Sequence, residues 1–137
     1  MRWLLLMLVP SLAMASPWPP TVGELPESLQ PLYDEAVRYP DDYGALSRLG
    51  AAAEQAGEPA LSLAAWTRAA EVSDGNLESS LARIGPLLTL GDQAGATDAV
   101  ASLVAAHPDS AAVALAEARV HRAHWSPMIA AERTADA

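Results

Sequence analysis

Turn-forming residues recur every 34 positions along this chain. Gly57 and Gly91, 34 positions apart, each end one apolar run just before another begins. A second set of turn residues, next to clusters rich in Asp, Ser and Asn, has the same spacing: Pro40, Asp74 and Pro108. A fixed period of this length is the signature of a repeat architecture. It restricts the chain to folds in which each unit buries its apolar face against its neighbours.

Small residues form another column at the same interval: Ser28, Ser62, Ala96 and Ala130. A small side chain is needed where two backbones approach closely. We therefore expect these positions to lie at contacts between helices, shielded from water.

Between the turns, Ala, Leu, Glu and Arg dominate and apolar residues recur at intervals of three and four, which predicts helices and no strands. The predicted helices cover 28–38, 42–56, 59–72, 77–90, 92–107 and 109–124, with a short terminal helix beginning at Ser126-Pro127. Pro86 lies inside the 77–90 segment and removes a hydrogen bond to the Ala82 carbonyl, so we expect a bend there. Trp66 falls in the apolar stripe of its helix and is expected in the core.

The charge and cysteine content exclude several classes of protein. The chain carries 17 acidic residues against 8 basic ones, all Arg, for a net charge of −9. Binding to nucleic acid or to an anionic membrane surface needs basic patches, which this chain lacks. Since Cys is absent, disulfides, thiolate chemistry and Cys-ligated metals are excluded as well.

The N-terminus has the pattern of an export signal. Arg2 precedes an apolar stretch from Trp3 to Leu12, and Ala13-Met14-Ala15 is the small-x-small pattern of a cleavage site. We therefore predict a signal peptide over 1–15, a flexible Pro-rich segment over 16–26 and one helical domain over 27–137. The expected location is periplasmic or secreted, with no stable membrane insertion after cleavage. A retained anchor is the alternative, although the apolar stretch is shorter than the roughly 20 residues that span a bilayer.

The residues of the first unit resemble the tetratricopeptide repeat, a 34-residue helix-turn-helix family with the pattern W-x2-L-G-x2-Y followed by a small residue, an aromatic and an Ala. Leu49 and Gly50 match the Leu-Gly pair, and Leu46 stands at the Trp position. Further matches are Ser62, Trp66 and Ala69. The second unit departs from the pattern, because Ser80 and Arg83 replace large apolar residues.

The resemblance implies an all-α, right-handed α-solenoid of antiparallel helix pairs, with about two and a half to three repeats. It also implies a non-enzymatic adaptor or assembly factor that holds a peptide or helix of a partner protein in a concave groove. The groove positions that it implies are Ser47, Ala51, Glu54, Gln55, Leu81, Gly85, Leu88, Arg119 and Arg122. The basic clamp that some members use for a terminal carboxylate is not reproduced, so an amphipathic helix or apolar segment is the expected ligand.

A small helical metal-binding protein is the alternative function. Glu117, His121 and His124 are spaced by four and three residues, which places them on one face of a helix with oxygen and nitrogen ligands for zinc or copper. The same residues are explained without metal, since His near a helix C-terminus interacts favourably with the helix dipole. No catalytic triad or carboxylate pair is evident. No cofactor and no enzymatic activity are therefore expected.

Overall fold

The computed structural model describes the backbone of residues 18–135 and the side chains of residues 18–126. The predicted signal peptide, Ala137 and the side chain of Ala130 lie outside the described residues. Within the described chain all regular structure is helical, which confirms the all-α class. The helices are α1 Gln30–Arg38, α2 Tyr43–Gln55, α3 Pro59–Val72, α4 Leu77–Ala82, α5 Ile84–Thr89, α6 Gln93–Ala106 and α7 Ala111–Ala135.

The 34-residue interval is repeated in the hydrogen bonds that begin the helices. Asp42, Asn76 and Ser110 follow one another at this interval and precede α2, α4 and α7. Each side-chain oxygen accepts a bond from the amide three residues later, on Ala45, Ser79 and Val113, at 3.3, 3.0 and 3.3 Å. Such caps satisfy amides that have no partner inside the helix.

The turns that follow α2 and α5 also share one geometry. Gly57 and Gly91 have φ of 75° and 77°, the left-handed conformation that glycine adopts without strain. In the first turn Glu58 donates its N–H to the Ala53 carbonyl at 2.9 Å. In the second, Asp92 donates to the Leu87 carbonyl at the same 2.9 Å distance. The chain is therefore reversed by the same device at both positions.

The predicted 77–90 helix is interrupted, as the position of Pro86 led us to expect. The structure has two helices, α4 and α5, that meet at Arg83, where the backbone stays right-handed with φ −72° and ψ −23°. Pro86 has no N–H to donate to the carbonyl of Ala82, the last residue of α4. The interruption thus occurs in the turn that precedes the proline.

The expected boundary at Ser126-Pro127 is wrong. Helix α7 continues through both residues to Ala135. Ser126 acts inside the helix, where its hydroxyl donates to the Arg122 carbonyl at 3.0 Å, instead of capping a new helix.

Consecutive helices pack on one another, most extensively α2 with α3 and α6 with α7, while α4 and α5 lie against α3 on one side and α6 on the other. The buried side chains form two groups. The N-terminal cluster contains Leu29, Ala36, Leu46, Leu49, Ala53, Leu61, Ala65, Trp66 and Ala69. The C-terminal cluster contains Ile84, Leu87, Ala96, Val100, Leu103, Val113, Ala116 and Val120.

The contact between α2 and α3 is tight at Gly50. The indole of Trp66, 5% exposed, lies over Gly50, where a Cβ atom would be only 2.6 Å from Nε1 of the ring. Beside it, the buried Ser62 hydroxyl donates to the Gly50 carbonyl at 2.8 Å. The core position expected for Trp66 is confirmed. Of the small-residue column, Ser62 and Ala96 are buried as expected, whereas Ser28, which precedes α1, is exposed.

The segment before α1 differs from the flexible stretch expected over 16–26. In its described part, Trp18, Val22 and Leu25 pack against the N-terminal cluster. The Tyr33 hydroxyl donates to the Pro20 carbonyl at 3.2 Å and ties the segment to α1. Apolar side chains between the prolines account for this docking, since burying them removes apolar surface from water.

None of the helices described in the structure is both long and apolar enough to cross a membrane.

Candidate binding face

Two of the residues expected in the groove, Glu54 and Arg119, meet over a third, Gly85. A Cβ atom on Gly85 would lie 2.8 Å from Glu54 Oε1 and 3.7 Å from Arg119 Nη2. These side chains come from the end of α2 and the middle of α7, and both pass over the start of α5. Three helices from successive units therefore contribute to one surface point, which we call the Gly85 junction (Glu54, Gly85 and Arg119).

The absence of a side chain at Gly85 gives the Glu54 carboxylate room to lie on the α5 backbone. Glu54 and Arg119 are both exposed, and among the described residues neither forms an ion pair within 4.0 Å. The Gly85 junction therefore presents an acceptor and a donor of opposite charge to solvent, each with its hydrogen-bonding capacity available to a ligand.

The other expected groove residues are placed less uniformly. Ala51 and Arg122 are exposed, whereas Leu81 and Leu88 are half-buried and pack against the C-terminal cluster. The half-buried Ser47 donates its hydroxyl to the Gly44 carbonyl at 3.1 Å, within its own helix. The two leucines thus divide their surface between core and solvent.

Gln55 lies at a different depression of the surface. It lines a pocket of about 320 Å³ together with Ser28, Leu29, Ala52 and Ala56, where the start of α1 meets the end of α2. The structure does not place Gln55 among the residues around Gly85.

Sequence reasoning missed Leu115. Its side chain is 66% exposed, the highest value among the exposed large apolar residues of the described chain. Leu115 lies one repeat interval after Leu81 and two intervals after Ser47, both of which were assigned to the groove. The same interval that selected those two residues would have selected Leu115.

The proposed metal ligands are not assembled into a site. His121 Nε2 lies 3.8 Å from Glu117 Oε1, with the His121 side chain exposed and that of Glu117 partly exposed. The His124 ring packs edge-on against Trp125 at a centroid distance of 6.0 Å. In the described part of the chain, no group of three His, Asp or Glu side chains is arranged to hold a metal ion. Coordination requires three or more converging ligands, and this helix face does not supply them.

One side-chain bond joins α2 directly to α4. The Tyr43 hydroxyl donates to Glu78 Oε2 at 3.0 Å, between residues at the starts of the two helices. Burial raises the pKa of Tyr43 above its usual 10.0, and the Glu78 carboxylate raises it further, while a bond with the Asn76 side chain opposes the shift. Folding therefore favours the neutral form of the Tyr43 phenol.

No family model matches this sequence, and no curated protein or solved structure is significantly similar to it.

Proposed function

We propose that this chain is an exported α-solenoid of the tetratricopeptide type that serves as a non-enzymatic adaptor and binds a helix or peptide of a partner protein. The observation that carries the proposal is the meeting of Glu54, Gly85 and Arg119, residues from three successive 34-residue units, at one exposed point. In a solenoid the side chains that repeat on one face of the stack form a continuous surface, and ligands bind along it.

The chemistry of this surface favours an amphipathic helix. Leu115 is an exposed apolar anchor on the same helix as Arg119, one turn before it. Leu81 and Leu88 add partly exposed apolar surface on α4 and α5. A partner helix with an apolar stripe for these leucines, and with charged residues of both signs for Glu54 and Arg119, satisfies both parts of the surface.

Photo-cross-linking in the source organism tests the binding face. A photoreactive amino acid at Leu115 or Ala51 is expected to trap one protein partner, whereas the same group at the exposed Thr97 of α6 is expected to trap none. The substitution Leu115→Asp should remove the cross-link from Ala51. Leu90→Asp is the matched control, because Leu90 is also an exposed leucine, 46% accessible. It lies between the end of α5 and the Gly91 turn and is not among the residues assigned to the binding face. Equal trapping at Thr97, or equal loss with both Asp variants, would contradict the proposal.

Export is a separate part of the proposal, supported by the apolar N-terminus and its small-x-small pattern. N-terminal sequencing of the protein isolated from its cells is expected to begin at Ser16. A chain that still begins at Met1 and sediments with membranes would show that the segment is a retained anchor.

A further inference from the structure

A cavity of about 270 Å³ lies between α4 and α6, away from the residues of the Gly85 junction. Its polar lining includes Ser80, Arg83, Ser102 and His107, and its apolar lining includes Ala99 and Leu103. Small-ligand sites in proteins have this mixture of apolar wall and a few polar groups, and this cavity is near the lower end of their usual size.

Two of the lining residues stand at positions that are core positions in the first unit. Ser80 and Arg83 stand one repeat interval after Leu46 and Leu49, which are both fully buried in the N-terminal cluster. A serine fills less space than a leucine, and an arginine directs its head group away from apolar surroundings. The two positions that leucines occupy in the first unit are therefore occupied by polar side chains at the edge of the cavity.

Arg83 lines this cavity, and one donor of its guanidinium group has no partner. Its Nε is buried and has no hydrogen-bond partner, and among the described residues its guanidinium forms no ion pair. None of the residues that line the cavity is acidic. A buried donor without an acceptor is costly, and a positive charge in a partly dry cavity is stabilised by an anion.

We infer that this cavity binds the carboxylate group of a small organic acid. The guanidinium offers parallel N–H donors that match the two oxygens of a carboxylate. The Ser80 hydroxyl adds a further donor, and Ala99 and Leu103 contact the apolar body of the acid. One guanidinium balances the single charge of one carboxylate, whereas a phosphate dianion carries about twice that charge. The inference is independent of the binding face, because it uses none of those residues.

Benzoate is a suitable probe, with benzamide as the neutral compound of the same shape. We expect calorimetry to show saturable binding of benzoate to the purified protein. The affinity for benzamide should be lower by about tenfold or more. In ¹⁵N NMR spectra the amides of Ser80, Ala99, Ser102 and His107 should shift with benzoate. Arg83→Gln should weaken benzoate binding by about tenfold or more. Arg38→Gln, which removes an exposed arginine from α1, should leave binding unchanged.

Three results would overturn the inference: no saturable shift of those amides in the wild-type protein, equal binding of benzoate and benzamide, or equal binding by the wild type and the Arg83→Gln variant. Binding of inorganic phosphate in preference to benzoate would contradict the assignment to carboxylates. If Arg83→Gln does not fold, the wild-type shifts and the benzoate-to-benzamide ratio still decide.

Discussion

The two core clusters are built on the same 34-residue frame but are filled differently. In the N-terminal cluster α2 is continuous, Leu46 and Leu49 are fully buried, and Trp66 packs directly on Gly50. In the C-terminal cluster the equivalent helix is interrupted at Arg83, and Ser80 and Arg83, which line a cavity, stand at the positions of the two leucines. Caps and turns thus determine the path of the chain, while the interior residues determine how much each unit contributes to stability.

The largest expected effect comes from emptying the well-filled cluster. Trp66→Ala removes a side chain that is 5% exposed and should lower the free energy of unfolding by about 3–5 kcal/mol. Trp125→Ala, at a side chain that is 53% exposed, is the control and should change it by less than about 0.5 kcal/mol. Urea denaturation measures both. Similar losses for the two variants would show that the N-terminal cluster does not depend on its tryptophan.

The tight contact between α2 and α3 is tested by adding one methyl group. Gly50→Ala places a Cβ atom 2.6 Å from the Trp66 ring, and we expect a loss of about 1–3 kcal/mol from overpacking despite the better helix propensity of Ala. Gly23→Ala is the matched control, since nothing lies within 4 Å of its Cβ position. Thermal unfolding of both variants compares them. A Gly50→Ala protein as stable as the wild type would mean that the contact is loose.

Giving the second unit the core residue of the first should make the clusters more alike. Arg83→Leu restores the residue type found at Leu49 and removes the unpartnered Nε, so we expect a gain of about 1 kcal/mol in the free energy of unfolding. Arg38→Leu, at an exposed site, should give no comparable gain. A clear loss of stability with Arg83→Leu in urea denaturation would show that the arginine has a structural partner.

Because the two units share the 34-residue repeat, removing the cap at the start of a helix should cost the same stability in each unit. Asp42 and Asn76 cap α2 and α4 through bonds to Ala45 N and Ser79 N at 3.3 and 3.0 Å. Replacing either capping residue by Ala should cost about 1 kcal/mol. Chemical denaturation of the two variants should therefore give losses that agree within experimental error, and a cost confined to one of them would separate the two halves.

The smallest expected effect concerns the bond between Tyr43 and Glu78. The pKa of Tyr43 in the folded state is raised above 10.0. The contribution of its hydroxyl to the free energy of unfolding is therefore fully present below pH 10.0 and is lost as the pH rises through the folded-state pKa. Tyr43→Phe has no proton to lose. The difference in unfolding free energy between wild type and variant, measured from about pH 9 upward, should therefore move in favour of the variant. A difference that does not change with pH would contradict the raised pKa.

Local sequence patterns were sufficient to predict the helical class, most helix boundaries, the Gly57 turn and the buried Trp66, because caps, turns and apolar stripes depend on neighbouring residues. Contacts between distant segments were harder to foresee. The composition of residues 16–26 gave no indication that Trp18 would pack against the core. Glu54 and Arg119 were both assigned to one surface, but their meeting over Gly85 depends on the packing of three helices. Leu115 was within reach of the same spacing argument and was overlooked.

Native-state hydrogen exchange by NMR tests most directly whether the two core clusters differ in stability although they share the 34-residue repeat. The amides of Ala53 in α2 and Ala69 in α3 should exchange only by global unfolding, whereas those of Leu87 in α5 and Leu103 in α6 should exchange earlier through a separate opening of the C-terminal cluster. Arg83→Leu should slow exchange at the second pair alone. Equal protection of all four amides in the wild-type protein would contradict the account.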